Sequence, residues 1–210
     1  MAEIADINIV AAPPKKTTTP ATRQIIPIEQ RTDVTVDELE RTSLLYPAEL
    51  YDGKVVYKMA NPAHGIVQGK ITTELNLYLR QNRIGYVMPE TNFRLWPNRS
   101  DQSRIPDVSF LKKDRMPDDL YHFPAMAPDL AIEIISPEDN FMTVMNKVDA
   151  YLEQGAQVVW LIITVTREVL VCTATSKHSV RDVLTAPDLL PGFELPVGKI
   201  FEGIPLPPRS

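Results

Sequence analysis

The stretch DLAIEIIS, Asp129–Ser136, decides how the chain is read. Leu130, Ile132, Ile134 and Ile135 make it a buried strand, yet Glu133 stands in its middle. An ionised carboxylate in such a strand costs several kcal/mol unless something compensates it. Strand alternation puts Glu133 on one face with Ala131 and Ile135. Two compensations are open at this point: a lysine or arginine partner, or a bound metal ion.

Working outward, FMTVMNKVDAYLEQG reads as a helix that Gly155 ends just past its last turn. VVWLIIT and EVLVCTA are two further strands separated by a short turn at Thr166–Arg167, with Trp160 as core. Upstream, GYVMPETNFRLW and RIPDVSFL are the strands of a hairpin split by the polar loop PNRSDQS. PAHGIVQGKITTELNLYLRQN places Ile66, Ile71, Leu75, Leu77 and Leu79 at mostly helical spacing, against the weakening effect of Gly65 and Gly69. Thr35 with Glu38 three residues on predicts a capped helix in TVDELERTSLL. ELYDGKVVYKM follows as a turn at Asp52–Gly53 entering a strand. The tail PGFELPVGKIF is expected to wrap the sheet edge, and no internal repeat is present. This order gives an α/β (α+β) domain, a mixed β-sheet flanked by helices.

The 210 residues suit one domain with its own core, and 44% hydrophobic with 23% charged residues is ordinary for a soluble protein. Residues 1–30, with Pro13, Pro14, Pro20 and Pro27, form a flexible arm too poor in apolar surface to order itself. The net charge of -5 argues against a generally basic coat but says little about local patches. The one cysteine, Cys172, allows no internal disulfide and no cysteine cluster for zinc. Glu3 and Asp6 stand where a secretory signal carries basic residues, and the longest apolar run, VVWLIITV, is far too short for a membrane helix. The chain is therefore expected to be cytoplasmic.

A second acid, Asp107 in IPDVSF, begins the strand-like segment before Glu133. Carboxylates from neighbouring strands can converge on one hard divalent cation such as magnesium. The plainer alternative makes Asp107 a surface acid and gives Glu133 a cationic partner. Lys147 lies on the following helix, with Tyr151 at i+4 on the same face, and could reach a phosphate or polarise a water. A lone lysine is more often solvated. His64 at a helix start is more often a cap or a satisfied imidazole than a ligand. Three histidines, His64, His122 and His178, speak against a histidine-rich metal site. The phosphate-binding, dinucleotide-binding, hydrolase-elbow and zinc-protease motifs are all absent.

The pattern Pro106-Asp107, then Glu133 with Ser136-Pro137, then Lys147, Tyr151, Gly155 and Trp160 resembles the Uma-type restriction endonucleases of bacteria, within the PD-(D/E)XK nuclease superfamily. ELYDGKVV, the PAHG turn and LLPGFELPVGKIF extend the likeness over roughly residues 35–203. The resemblance implies that residues 31–210 form a restriction-endonuclease-like domain, an endonuclease hydrolysing DNA phosphodiester bonds. It implies that Asp107, Glu133 and the Ile134 carbonyl hold Mg2+ or Mn2+. The superfamily's lysine two residues after the glutamate is here Ile135, and the resemblance implies that Lys147 on the following helix replaces it. Glu49 and His64 match family positions near the site. Thr164 stands where the family has an aspartate, and Ala63 where it often has a glutamate.

Between Arg80 and Arg115 eight basic residues face four acids, an excess expected to surround Asp107 and track phosphates. A homodimer is the expectation, because nucleases of this superfamily often cut both strands as dimers. One competing reading is a catalytically silent nuclease-fold module that binds DNA or a protein partner. A carboxylate-pair glycosidase is another, and it explains neither Lys147 nor the basic excess. With two carboxylates repelling each other in a metal-free cleft, Glu133→Gln is expected to leave the protein as stable as before or more so.

Overall fold

The computed structural model describes residues 26–206, so most of the expected arm, residues 1–25, lies outside the described residues. The last residues of that segment, Ile28–Gln30, form a single 3-10 turn whose Ile28 packs on the first small core. α1 (Val36–Arg41) starts at its Thr35 cap, the Thr35 side chain accepting from Glu38 N at 3.2 Å, while the Glu38 carboxylate pairs with Arg31. β1 (Ala48–Tyr51) and β2 (Lys54–Tyr57) pair antiparallel about the tight turn at Asp52–Gly53. Val34, Val36, Leu39, Ala48 and Leu50 bury together there.

α2 (Pro62–Gln81) follows, then β3 (Gly85–Pro89), β4 (Val108–Lys112), β5 (Leu130–Ile135), α3 (Phe141–Glu153), β6 (Val158–Ile163), β7 (Glu168–Cys172) and β8 (Lys177–Val180). β9 (Val183–Ala186), β10 (Leu190–Pro196) and α4 (Val197–Phe201) close the chain. The central sheet has the order β3-β4-β5-β6-β7-β8, with β5 and β6 parallel and the other pairs antiparallel. Parallel neighbours need a long crossover, and α3 supplies it.

The two sheet faces bury separate cores. Val108, Phe110, Leu130, Ile132, Ile134, Trp160 and Ile162 face α2 and the β9–β10–α4 segment. Ala131, Ile135, Val159 and Leu161 face Val148 and Tyr151 of α3. Trp160 is core as expected, stacked on Phe193 at 6.0 Å between ring centres. Gly155 ends α3 with φ +103, where a glycine carries no side-chain penalty.

Three expectations need correction. The tail does not wrap an edge: Leu190, Phe193, Leu195, Val197 and Phe201 cover a face beside α2. Their alternation in β10 makes one apolar side, which finds more area on a face than along an edge. The α2 stripe is His64, Val67, Ile71, Leu75 and Leu79, whereas Ile66 and Leu77 are about half exposed, since a 3.6-residue period admits only one stripe. The hairpin strands are also shorter than expected. β3 stops at Pro89, and residues 90–107 are a long connection bridged at Phe93 and Arg104.

The β3–β4 contact is tight. A Cβ on Gly85 would meet the Leu111 carbonyl oxygen at 2.2 Å and the Phe110 ring at 2.4 Å. Gly85→Ala should therefore cost about 1–3 kcal/mol in chemical denaturation, the usual penalty of forced overpacking. An unchanged midpoint would contradict this packing.

Candidate functional site

The β4–β5 register pairs Val108 with Ile132, so Asp107, one residue earlier, stands opposite Glu133 at the end of the sheet. Asp107 is 1% exposed, which removes the reading of it as a surface acid. Its Oδ2 accepts from Ile134 N at 2.7 Å. In extended backbone a residue's N–H and C=O leave the same side, so the Ile134 carbonyl also faces the Asp107 edge. The other oxygen, Oδ1, meets Lys58 Nζ at 2.5 Å and His64 Nε2 at 3.3 Å. His64 gets there because Asn61 caps α2, its side chain accepting from His64 N at 2.9 Å.

Lys147 and Tyr151, one helical turn apart on α3, both reach Glu133 Oε1 at 2.8 Å. Lys147 Nζ also lies 2.8 Å from Glu49 Oε1. Glu49 is fixed in turn by Ile105 N at 2.8 Å and the Tyr51 hydroxyl at 2.9 Å. Two backbone hydrogen bonds between Leu50 and Ser103 hold the β1–β2 hairpin, and with it Glu49, over the sheet end. A cleft of about 790 Å³ opens onto Glu49, His64, Asp107, Glu133 and Lys147. The structure thus brings together all five side chains singled out from the sequence.

The cation beside Glu133 is Lys147, so the lysine alternative describes its contacts in this structure. The expected unrelieved repulsion between Asp107 and Glu133 is corrected accordingly: Lys147 lies between Glu133 and Glu49, and Lys58 on Asp107. The helix geometry explains it, since a lysine stem is long enough to carry its charge from α3 to the sheet. Burial opposes charge throughout the cluster, yet the lysines largely win. Burial would lift Asp107, but the His64 hydrogen bond and the Lys58 charge hold it well below the usual carboxylate range. Burial would also lift Glu49, but Lys147 and Lys58 bring it below normal. Burial works against the Lys147 ammonium, but Glu133 and Glu49 hold its pKa well above the ordinary lysine value. Glu133 is the exception: its burial outweighs Lys147 and Lys58, and its pKa rises.

Among the described residues, no three His, Cys, Asp or Glu side chains cluster closely enough to cage a metal by themselves. A smaller donor set does fit one. Among the described residues, Glu133 Oε2 accepts no hydrogen bond, the Tyr151 hydroxyl and the nearest approach of Lys147 both being to Oε1. Two carboxylates and a carbonyl leave positions for water and phosphate oxygens, as hard divalent cations such as magnesium prefer.

The basic excess does not surround this site. Arg94 pairs with Asp37 and Glu40, Arg99 with Asp52 and Asp101, and Arg115 with Asp129. Arg104 is buried, 3.5 Å above the Tyr51 ring. Arg80, Arg83 and Lys113 line a separate hollow of about 390 Å³. They lie at or just beyond the far ends of α2 and β4, roughly 20 Å along the strand from Asp107. Neighbourhood in sequence did not become neighbourhood in space because strand and helix carry the chain away from the site.

Sequence reasoning missed Lys58, Tyr51 and Gln68, whose Nε2 donates to the Asp107 carbonyl at 2.8 Å. Only Lys58 had a signal, a lone cation ending a strand just before the PAHG turn. Of the two departures, Thr164 bonds the Ile135 carbonyl at 2.7 Å and Ala63 packs on the α2 core.

A family model described as "Uma2: Putative restriction endonuclease" matches residues 37–198. No curated protein is a significant match. Among solved structures, the crystal structure described as a putative nuclease belonging to DUF820 from Anabaena variabilis ATCC 29413 is similar, with a TM-score of 0.67 and 24% identity. The match covers 80% of this chain and 97% of that one, and at this identity it shows the shared fold.

Proposed function

The chain belongs to the Uma2 family of putative restriction endonucleases, and from that premise we propose a Mg2+- or Mn2+-dependent endonuclease that hydrolyses DNA phosphodiester bonds. The observation that carries this reading is Asp107 set opposite Glu133 in the lining of an open cleft, with the Lys147 ammonium beside Glu133.

Asp107, Glu133 and the Ile134 carbonyl would hold the metal. When bound, it would supply a water of lowered pKa and positive charge at the scissile phosphate. Glu49 and Glu133 keep Lys147 protonated and aimed into the cleft, where its charge would meet the one developing on the phosphate. Tyr151 holds the Glu133 carboxylate in place through Oε1. Lys147 and Tyr151 are thus positioned by one helix face against one carboxylate.

Incubating plasmid DNA with the protein and Mg2+ or Mn2+, then with chelator, tests the reading. Nicking or linearisation that the chelator stops is the expected result, and cleavage that persists in chelator would overturn it. The rival reading is a silent module that binds DNA or a protein partner, since a nuclease fold does not by itself establish turnover. Salt-dependent DNA binding without turnover under any metal would favour it. Among the described residues no helix is long and apolar enough to cross a membrane. A homodimer would let two such sites cut both strands, and sedimentation showing only monomer at micromolar concentration would remove that part.

A further inference from the structure

Lys58 has no place in the mechanism above, yet it makes the closest contact to Asp107. Its ammonium lies 2.5 Å from Asp107 Oδ1 and 2.8 Å from the Ile105 carbonyl oxygen. A divalent cation at Asp107 would need those same kinds of donor, a carboxylate and carbonyl oxygens. We propose that Lys58 is a resident counter-cation that occupies Asp107 while the site is free of metal and swings away when a divalent cation binds. The inference rests on the metal reading and adds a competitor to it.

Charge balance supports the exchange. Glu49, Asp107 and Glu133 carry three negative charges, and Lys58 and Lys147 return two. A dication added with Lys58 in place would leave the buried cluster net positive, with an ammonium pressed against the metal. With Lys58 gone, Lys147 and the dication balance the three carboxylates. Like charges in a poorly solvated cleft strongly disfavour the first arrangement.

The local structure allows the movement. The Lys58 backbone is anchored, its N–H donating to the Pro47 carbonyl at 2.8 Å, so only the side chain has to turn. A lysine stem has four rotatable carbons and a compact, readily hydrated head. Two hollows, of about 790 Å³ and about 250 Å³, border Lys58 and Asp107, so the ammonium has space to move into. The Ile105 carbonyl left behind still has Lys147 Nζ at 3.5 Å.

Two measurements on the full chain without DNA test this. Calorimetric titration with Mn2+ should show Lys58→Met binding roughly tenfold tighter than wild type or better, on the scale by which a neighbouring charge shifts an ionisation equilibrium. Asp107→Asn should lose the binding in either background. On the wild-type protein, an amine-acylating reagent followed by peptide mapping should modify Lys58 severalfold faster at saturating Mn2+, with exposed Lys54 unchanged as the control. This second measurement does not depend on the variant folding. Equal or weaker Mn2+ affinity in Lys58→Met, or unchanged Lys58 reactivity, overturns the proposal while leaving the metal reading intact. Mn2+ binding by none of the proteins overturns both.

Discussion

Lys147→Met should lower the stability of the metal-free protein by about 3–5 kcal/mol, the usual result of removing one partner from a buried ion pair. The side chains involved are 9% exposed for Lys147 and 5% for both Glu49 and Glu133, so solvent offers little screening. Without the ammonium, two carboxylates would face each other in one cleft, and one would have to take up a proton. Burial already pushes Glu133 that way. Because the loss arises from unpaired charge, Lys147→Met combined with Glu133→Gln should recover part of it, which a double-mutant cycle in urea would measure. A change within about 0.5 kcal/mol for the single variant, as at ordinary surface sites, would contradict the buried pairing.

Glu133→Gln should do the reverse, with a large effect on cleavage and a small one on stability. A glutamine keeps an oxygen for Tyr151 and Lys147, and Lys147 keeps Glu49, so a change within about 1 kcal/mol is expected. The reason differs from like-charge relief, since Lys147 already compensates Glu133. The variant does lose the anionic Oε2 that the metal reading requires. Several kcal/mol of metal-supplied stabilisation corresponds to a cleavage rate lower by roughly a factor of a thousand or more. Thermal melts with and without Mn2+ add an independent readout, because a ligand bound only to the folded state raises the melting temperature. Wild type should show that rise and the variant should not. A variant that melts far below wild type yet still cuts DNA would make Glu133 a structural partner only.

The sequence made β5 and its helix legible because their signals are local. Apolar residues packed into Leu130–Ile135 and Lys147 with Tyr151 at i+4 follow from periods of two and 3.6, and Gly155 marks the helix end. The pairing of Asp107 with Glu133 was legible as well, as two acids on adjacent strands. What stayed hidden depends on contacts distant in sequence. Lys58 and Asp107 are 49 residues apart, and no periodicity marks such a pair. β8 is KHSV, an almost wholly exposed edge strand with no apolar alternation to announce it. Arg94, Arg99, Arg104 and Arg115 looked like a phosphate-tracking surface until their partners on α1, the β1–β2 turn and Asp129 came into view. A count of charges does not distinguish a solvated arginine from one that staples two segments.

The proposed function requires the end of the β4–β5 pair to hold a divalent cation. Anomalous scattering from crystals soaked in manganese tests it most directly. A strong peak is expected within coordinating distance of Asp107, Glu133 and the Ile134 carbonyl, with the Lys58 ammonium displaced from Asp107. A fully loaded crystal with no peak there, and with Lys58 and Lys147 still paired to their carboxylates, would contradict it.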